Sequence, residues 1–254
     1  NWKIHPVVKQ IIEECHTITD KYGSPNNLIA PKQLSYADLA KEVKQVFIAL
    51  HGRPGEDGAI QEKLEAVGLT YNGSGKESSS ITIDKFRTNE ILMKHGFLAA
   101  KHCLITNEDW KTNKEKIKQT LQNDYVYPLI AKPVDDGCSS AVKMIKSFKE
   151  FEAFATLIFR NSEAFDAKAA EILHIKDKEE FPQKQVLLVE ELISKNGAKH
   201  FLEITGGMLT KLNAKGEVEY EVFEASEALA SGEILSLEEK FLAGQGQNIT
   251  PARY

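Results

Sequence analysis

The spacing of apolar residues predicts alternating helices and strands along the first third of the chain. Residues 5–22 carry apolar side chains at helical spacing, and residues 36–43 show a second, shorter helical pattern. The run QVFIAL (45–50) is continuously apolar, which is typical of a strand covered on both faces in a parallel sheet. A helix over 59–67 and a short strand in LTYNGSG (69–75) follow. This region therefore predicts a βαβ arrangement.

The rest of the chain continues this alternation and then becomes rich in strands. Helices are predicted over residues 80–95, 108–122 and 147–159, and strands over 99–105, 127–133, 141–145 and 186–193. Beyond residue 200, two segments flank a Lys-Gly turn, as in an antiparallel hairpin. We find no internal repeat, and the patterns predict two parts that join near residues 76–100.

Composition and charge narrow the class of protein and of partner. The 254 residues are 42% hydrophobic and 27% charged, as in folded globular domains. The net charge of −5 argues against nucleic acid or an anionic membrane as the main partner. No apolar run reaches the roughly 20 residues of a membrane-spanning helix, and the first ten residues do not resemble a signal peptide. The three widely spaced cysteines predict reduced thiols in a cytoplasmic protein.

The glycine-rich segment NGSGKESS (72–79) is similar at first sight to a phosphate-binding loop. A P-loop needs Gly, four residues and then Gly-Lys-Ser/Thr. Counting back from Gly75 and Lys76, the first glycine position holds Thr70, and the Ser/Thr position holds Glu77. The segment is therefore not a P-loop, although a glycine turn before a helix still offers backbone N–H groups to an anion.

Lys132 is a cation within the apolar strand pattern PLIAKP (128–133). An unpaired ammonium is costly to bury, so this lysine either faces an anion or lies on an edge strand that faces water. The loop VDDGCSS (134–140) follows directly. Its backbone N–H groups can surround the same anion, which favours a phosphate site.

Two further positions at strand ends are open to two interpretations each. His51 follows the strand pattern at a carboxyl end, where open α/β sheets bind ligands, or it is a structural histidine. Glu190 and Glu191 lie near the end of the pattern LLVEELI. They either bind a cation or the edge of a base, or they form a solvated rim.

Four segments carry a specific resemblance, namely residues 47–75, IDK (83–85), IAKPVDDGCSS (130–140) and LLVEELI (187–193), with weaker similarity in EEKFL (238–242) and ITPA (249–252). Together they resemble the D-alanine–D-alanine ligases of the ATP-grasp superfamily. The resemblance implies an α/β fold in which a partial N-terminal α/β (pre-ATP-grasp) domain precedes an ATP-grasp α+β domain. The implied boundaries are residues 1–77 for the substrate domain, 78–193 for the connecting helix and small nucleotide lobe, and 194–254 for the start of the large lobe.

This resemblance assigns two lysines to the phosphates of ATP. Lys85 and Lys132 would contact them from opposite sides, and the loop from Gly137 onward would fold over them. The adenine would lie at a hinge, where backbone groups of Glu191 and Leu192 read its edge. The hinge residues are Glu190, Glu191, Leu192 and Ile193.

The resemblance also implies residues for the chemical step. His51 would lie near the first D-amino acid, and Lys240 would reach the transferred γ-phosphate. Either Ser139 or Ser140 would act from the loop. Phe241 occupies the position of the family's active-site tyrosine. In the family, phenylalanine there is associated with ligases that accept D-lactate as the second substrate.

Several family features do not appear in the sequence. The opening strand with its glutamate turn is not found before residue 45, and the acid expected at the ribose falls near Lys199 and His200. The segment that holds magnesium in the family would come after Tyr254. The chain also begins with Asn1 rather than Met. We therefore expect an incomplete chain that has no metal ligands and is inactive by itself.

The resemblance implies a cytoplasmic, ATP-dependent carboxylate–amine ligase that joins two D-amino acids through an acyl phosphate for peptidoglycan precursor synthesis. ATP and Mg²⁺ would be its cofactors, its partners would be small molecules, and homodimers are common in the family. Two alternatives stay open. One is an ATP-grasp ligase with a different second substrate such as D-lactate, and the other is a catalytically inactive ATP-grasp module of a larger protein.

Overall fold

The computed structural model describes residues 6–22, 32–137, 139–176, 179–195, 197–229 and 247–253. The chain divides into two units, one formed by Asn1–Val46 with Lys63–Tyr71 and the other by Phe47–Glu62 with Asn72–Tyr254. The elements up to residue 71 are α1 (Pro6–Tyr22), α2 (Tyr36–Glu42), β1 (Gln45–Val46), α3 (Ala59–Ala66) and β2 (Thr70–Tyr71). The predicted domain boundaries at residues 77 and 193 stay predictions.

In the first unit, helices α1 and α2 lie where the apolar spacing predicts them. Helix α2 begins after Ser35, whose side-chain oxygen accepts a hydrogen bond from the Asp38 N–H at 3.1 Å. This bond satisfies one of the N–H groups that the start of a helix leaves free. Strands β1 and β2 pair in parallel, with Val46 opposite Tyr71. The order β1, α3, β2 confirms the predicted βαβ arrangement.

The strand predicted over residues 45–50 is wrong beyond Val46. Phe47 is 79% exposed and Leu50 is 50% exposed, so the apolar run is not covered on both faces. The Asn72 carboxamide bonds both backbone groups of Ile48: its oxygen accepts from the N–H at 2.6 Å, and its nitrogen donates to the carbonyl at 3.2 Å. Because a side chain takes these backbone bonds, the strand ladder does not continue through this position.

The helices beyond residue 71 are α4 (Lys76–Thr82), α5 (Lys85–Lys94), α6 (Asn107–Thr112), α7 (Lys114–Asn123), α8 (Phe148–Ile158) and α9 (Ala167–Ile172). The strands are β3 (His102–Thr106), β4 (Leu129–Pro133), β5 (Lys143–Ile145), β6 (Val186–Glu191), β7 (Glu203–Thr205), β8 (Met208–Leu212), β9 (Val218–Val222), β10 (Ser226–Leu229) and β11 (Gln247–Ile249). Helix α9 has no counterpart in the sequence predictions. Among the described residues we find no helix whose length and hydropathy suit a bilayer crossing.

Two segments predicted as single helices are each interrupted. Residues 80–95 divide between α4 and α5 at Asp84, whose carboxylate accepts from the Arg87 N–H at 2.9 Å and caps a new helix. Residues 108–122 divide between α6 and α7 at Asn113, whose φ of −127° lies outside the helical range. The Asp84 side chain competes for backbone hydrogen bonds, and hydrophobic periodicity does not report this competition. The Asn113 side chain makes no capping bond to the backbone and instead donates to the side chains of Asp109 and Thr112.

Strands β3, β6, β4 and β5 form an antiparallel sheet in that order. Buried positions alternate along β4, so that Leu129, Ala131 and Pro133 are buried while the residues between them are half-buried. Leu129 and Ala131 join one hydrophobic core with the side chains that α8 buries. The buried residues of α8 are Phe151, Ala153, Phe154, Ala155, Leu157 and Ile158. The four-stranded sheet packs on this core, and its strand β4 carries Lys132.

The strands after residue 200 are antiparallel, as predicted. Strands β8 and β9 form a hairpin with Gly216 in its turn, and β10 lies between β11 and β7. Glu227 on β10 is only 2% exposed and receives two hydrogen bonds from Arg253, at 2.8 and 2.7 Å. A bidentate guanidinium–carboxylate pair compensates the cost of burying this acid.

Gly58 is expected to tolerate alanine less well than Gly73, although the two residues have similar backbone angles. Their φ values are +90° and +87°, so alanine is strained at both positions. A Cβ at residue 58 would also lie 2.5 Å from the Lys76 carbonyl oxygen, whereas a Cβ at residue 73 meets no described atom within 4 Å. We expect Gly73→Ala to lower the free energy of unfolding by about 1 kcal/mol and Gly58→Ala by about 2 kcal/mol or more. Equal losses in denaturant titrations would contradict the role of this close contact.

Candidate active site

Lys132 lies on an interior strand of the four-stranded sheet, because β4 is paired with β6 on one side and with β5 on the other. The alternative of an edge-strand lysine facing water is therefore wrong. Its ammonium forms an ion pair with the carboxylate of Glu190, and the two side chains are 18% and 12% exposed. The anion that Lys132 faces in the structure is thus the Glu190 side chain.

Glu190 reaches Lys132 because of the register between β4 and β6. Glu190 lies opposite Ile130, and Lys132 lies opposite Leu188, so the two charged residues are diagonal neighbours. Asn89 on α5 donates a hydrogen bond to the other oxygen of the Glu190 carboxylate at 3.0 Å. Glu190 is buried and doubly bonded, so its interpretation as a solvated rim is wrong.

Lys85, the first residue of α5, joins this helix to the loop after β4. Its N–H donates to the Val134 carbonyl at 2.9 Å, and its ammonium donates to the Asp136 carbonyl. Burial lowers the pKa of Lys85, and the positive charge of Lys132 lowers it further, against the opposite effect of nearby carboxylates. Two ammonium groups in a partly buried setting repel each other, and an added anion between them would relieve that repulsion.

The adjacent residues Asp135 and Asp136 at the start of the loop share one counter-charge. The Lys184 ammonium lies 3.0 Å from the Asp135 carboxylate and 2.7 Å from the Asp136 carboxylate. Arg53 contacts the second oxygen of Asp135 at 2.8 Å and also Asp57 at 2.9 Å. Burial alone would raise the pKa of Asp135, but the bonds and charges of Lys184 and Arg53 outweigh burial and lower it.

The loop continues in a tight turn at the predicted serines. The Ser140 N–H donates to the Gly137 carbonyl at 3.0 Å, and the Val142 N–H donates to the Ser139 carbonyl at 3.2 Å. Ser139 has a φ of +58° and Ala141 a φ of +49°, both in the left-handed region. The Ser140 hydroxyl is buried and makes no hydrogen bond with any described atom. The roles of Gly137, Ser139 and Ser140 at a nucleotide stay predictions.

The predicted hinge lies at the end of β6. The Glu191 N–H already donates to the Lys101 carbonyl at 2.9 Å, so this N–H is not available to an adenine. Leu192 and Ile193 follow the strand, and the Ile193 side chain is 66% exposed. An adenine contact by these three residues stays a prediction.

The remaining predicted residues are less well tied to this cluster. His51 is exposed, but Arg53, two residues later, bonds to Asp135 and so connects this turn with the loop after β4. Lys240 and Phe241 lie outside the described residues. The structure therefore brings together Lys85, Lys132, Glu190 and the loop 134–140, all within the second unit.

Three charged or polar residues of the cluster were missed in the sequence: Arg53, Asn89 and Lys184. Each contacts a site residue that is distant in sequence, for example 101 positions for Asn89 and Glu190. A local pattern does not identify such a residue. The only signal was the unbalanced pair of adjacent acids, Asp135 and Asp136, which demands a cation nearby.

The ion pairs of Asp135 predict a pH dependence of stability. Because its folded-state pKa lies below the ordinary 3.8, its ionised form stabilises the fold above pH 3.8, and this contribution is lost as the pH falls through the folded pKa. We expect Asp135→Asn to lower Tm by about 3 °C from about pH 5 to about pH 8. The difference between the variant and the wild type should shrink at about pH 3. A Tm difference that is the same at both ends of this range would contradict the ionic role of Asp135.

The titration of Lys184, the basic partner of Asp135, does not change this acidic pH range. Burial acts to lower the pKa of Lys184, but its hydrogen bonds to Asp136 and Asp135 outweigh burial and raise it. A raised lysine pKa gives a contribution that is complete below the ordinary 10.5 and is lost only as the pH rises through the folded value. The acid limb of the difference between Asp135→Asn and the wild type therefore reports on Asp135 and not on Lys184.

Two family models match the chain in succession. The model described as the D-ala D-ala ligase N-terminus matches residues 7–74, and the model described as the D-ala D-ala ligase C-terminus matches residues 91–168. The D-alanine–D-alanine ligase of Leptospira interrogans is 29% identical over 208 residues, which cover 82% of this chain and 51% of the relative. The corresponding ligase of Moorella thermoacetica is 36% identical over 107 residues, which cover 42% of this chain and 35% of the relative. The chain spans about half or less of the length of these curated relatives.

Two solved structures share the fold. A D-Ala:D-Ser ligase from Enterococcus faecalis aligns with a TM-score of 0.58 and 23% identity over 84% of this chain and 51% of that chain. D-alanyl-alanine synthetase A from Vibrio cholerae aligns with a TM-score of 0.52 and 18% identity over 82% of this chain and 52% of that chain. These neighbours show that the fold is an ATP-grasp fold with an N-terminal domain, as predicted. Within that class, the chain belongs to the D-alanine–D-alanine ligase family.

Proposed function

We propose that the protein is an ATP-dependent carboxylate–amine ligase that joins two D-alanine molecules for peptidoglycan precursor synthesis in the cytoplasm. The observation that carries this proposal is the convergence of two partly buried lysines, Lys85 and Lys132, beside the loop 134–140. The family membership supports the substrate class. The repulsion between the two ammonium groups supports a polyanion such as the phosphates of ATP as their ligand.

The two lysines would act by charge neutralisation and positioning. Lys132 is held by Glu190, and Glu190 by Asn89, so the ammonium is fixed before the nucleotide arrives. The Lys85 ammonium donates to the Asp136 carbonyl, which is a neutral acceptor. A charged phosphate oxygen can replace this carbonyl as the acceptor of the hydrogen bond. Pre-positioned charge is the main contribution that a protein makes to phosphoryl transfer.

The proposed reaction has two steps. A carboxylate oxygen of the first D-alanine attacks the γ-phosphorus of ATP, which forms D-alanyl phosphate and releases ADP. The amine of the second D-alanine then attacks the acyl carbon, loses a proton and displaces inorganic phosphate. The turn at Gly137, Ser139 and Ser140 would cover the acyl phosphate and keep water from it. His51 would lie on the side of the first amino acid.

Enzymes of this family also use Mg²⁺, which neutralises the phosphates. Within the described residues, no three or more His, Cys, Asp or Glu side chains are arranged to hold a metal ion. We therefore assign no metal ligand in this chain and derive no step of the reaction through the metal.

An oxygen-isotope experiment on the complete natural polypeptide tests the proposal. The protein is incubated with ATP, Mg²⁺ and D-alanine that carries ¹⁸O in its carboxylate. The acyl phosphate route predicts D-alanyl-D-alanine, ADP and inorganic phosphate that contains one ¹⁸O atom from the amino acid. L-alanine serves as the control and should give no product.

The same assay decides between the alternatives. An ester product from D-alanine plus D-lactate, with no dipeptide from D-alanine alone, would show that the second substrate is D-lactate and not D-alanine. Absence of both products and of ADP release, in a protein whose circular dichroism shows it to be folded, would favour the inactive ATP-grasp module. ADP release without ¹⁸O in the phosphate would contradict the acyl phosphate intermediate.

A further inference from the structure

Lys184 is anchored by the hydrophobic core at its backbone and reaches the loop with its side chain. Its N–H donates to the Ile158 carbonyl at 2.8 Å, where helix α8 ends, and Ile158 is fully buried. Two residues later strand β6 begins. The backbone of Lys184 is therefore held between the core helix and the central sheet.

The side chain of Lys184 compensates two charges that would otherwise repel each other. Its ammonium lies 3.0 Å from Asp135 and 2.7 Å from Asp136, and its side chain is 20% exposed. Adjacent carboxylates in a partly buried place are unfavourable without a shared cation. Charge-assisted hydrogen bonds of this length are about twice as strong as neutral ones.

The contacts continue from Asp136 to the proposed phosphate site. The Asp136 carbonyl accepts the hydrogen bond of the Lys85 ammonium, and Gly137 and the turn at Ser139 and Ser140 follow immediately. A series of contacts thus runs from the core through Lys184 and Asp136 to Lys85. Among the described residues, the hydrogen bonds and ion pairs of Lys184 involve neither Lys132 nor the hinge.

We propose that Lys184 is a positioning residue for nucleotide binding, which fixes the first residues of the loop 134–140 so that Lys85 and the loop turn are placed for the phosphates. The inference rests on the proposed function, because it concerns the same nucleotide site. Without Lys184, the carboxylates of Asp135 and Asp136 lose their shared cation. The first residues of the loop then lose the ion pairs that tie them to the anchored backbone of Lys184.

The test compares three variants of the complete polypeptide by calorimetric binding of a non-hydrolysable ATP analogue with Mg²⁺. Lys184→Met should bind about tenfold more weakly, and Lys184→Arg should recover most of the affinity. Lys143→Met is the matched control: the Lys143 side chain is 19% exposed and pairs with Glu179, and no ion pair of the described residues joins it to the two aspartates. This control should bind within about twofold of the wild type.

Two further readouts separate positioning from a general loss of structure. In steady-state kinetics, Lys184→Met should raise KM for ATP about tenfold while KM for D-alanine stays within about twofold. Hydrogen exchange in the peptide that contains residues 134–142 should become faster in Lys184→Met and return to the wild-type rate in Lys184→Arg. If Lys184→Met does not fold, the triple variant with Asp135→Asn and Asp136→Asn removes the two acids that Lys184 pairs with. It should still bind weakly, because the loop stays without its ion pairs to Lys184.

The outcomes that overturn this inference differ from those that overturn the proposed function. A Lys184→Met protein, or a folded triple variant, with wild-type affinity shows that Lys184 does not position the loop. Equal weakening in Lys184→Arg and Lys184→Met likewise rejects the positioning role. Failure of the wild type itself to bind the ATP analogue rejects the proposed function and the inference with it.

Discussion

Replacement of Lys132 with methionine is expected to lower kcat/KM for ATP by about 100-fold in the complete polypeptide, which is the size of effect seen when one fixed charge-stabilising donor is removed. The physical reason is that Lys132 is a point charge already fixed on an interior strand by Glu190. The phosphates would lose that charge, and the neighbouring Glu190 carboxylate would repel them. The measurement is the ATP dependence of the initial rate of ADP release.

The variant also leaves Glu190 without its cation, which is costly for an acid whose side chain is 12% exposed. The double variant Lys132→Met/Glu190→Gln removes both charges and should restore stability without restoring the rate. Lys143→Met serves as the control for the loss of a lysine of similar exposure on the same sheet. Recovery of the rate in the double variant would show that Lys132 acts through stability and not on the phosphates.

Replacement of Phe154 with alanine is expected to lower the free energy of unfolding of the second unit by about 4 kcal/mol. Phe154 lies on α8, is fully buried, and packs edge-on against Phe181 with ring centroids 5.3 Å apart. The truncation removes a large apolar surface from the core and leaves a cavity. Urea titration followed by the fluorescence of Trp110, which packs against the same core, measures this loss.

The matched control for Phe154→Ala is Phe97→Ala, because Phe97 is 63% exposed. Its truncation should change the free energy of unfolding by less than about 0.5 kcal/mol. A Trp2→Phe background removes the signal of the other tryptophan. Similar losses for the two phenylalanine variants would contradict the burial of Phe154 in the hydrophobic core that α8 joins.

Hydrophobic periodicity succeeded for elements whose buried face repeats regularly. Helix α8 and strands β4 and β6 were predicted within a few residues because the core covers each of them. Periodicity failed where one polar side chain changes the backbone bonding. Asp84 caps a new helix within a predicted one, and Asn72 takes both backbone bonds of Ile48. These two residues act through side-chain hydrogen bonds to the backbone, which leave no repeat in the sequence.

For the candidate site, the sequence by itself determined which residues need partners. A lysine in an apolar strand pattern needs an anion unless it lies on an edge strand that faces water, wherever that anion lies. The resemblance of the segments 130–140 and 187–193 to a ligase family also rests on sequence alone. The structure adds that Lys132 lies close enough to Lys85 for its positive charge to lower the pKa of Lys85.

Only the tertiary structure decided which residues pair with the charged residues of the site. Glu190 and Asn89 meet across 101 positions, and Lys184 and Asp135 across 49, through the pairing of β4 with β6 and the docking of α5. A shift of one residue in that register would turn every side chain of β4 to the opposite face and separate Lys132 from Glu190. Register is set by the packing of the whole sheet on its core, and such long-range contacts are not encoded in any local segment of the chain.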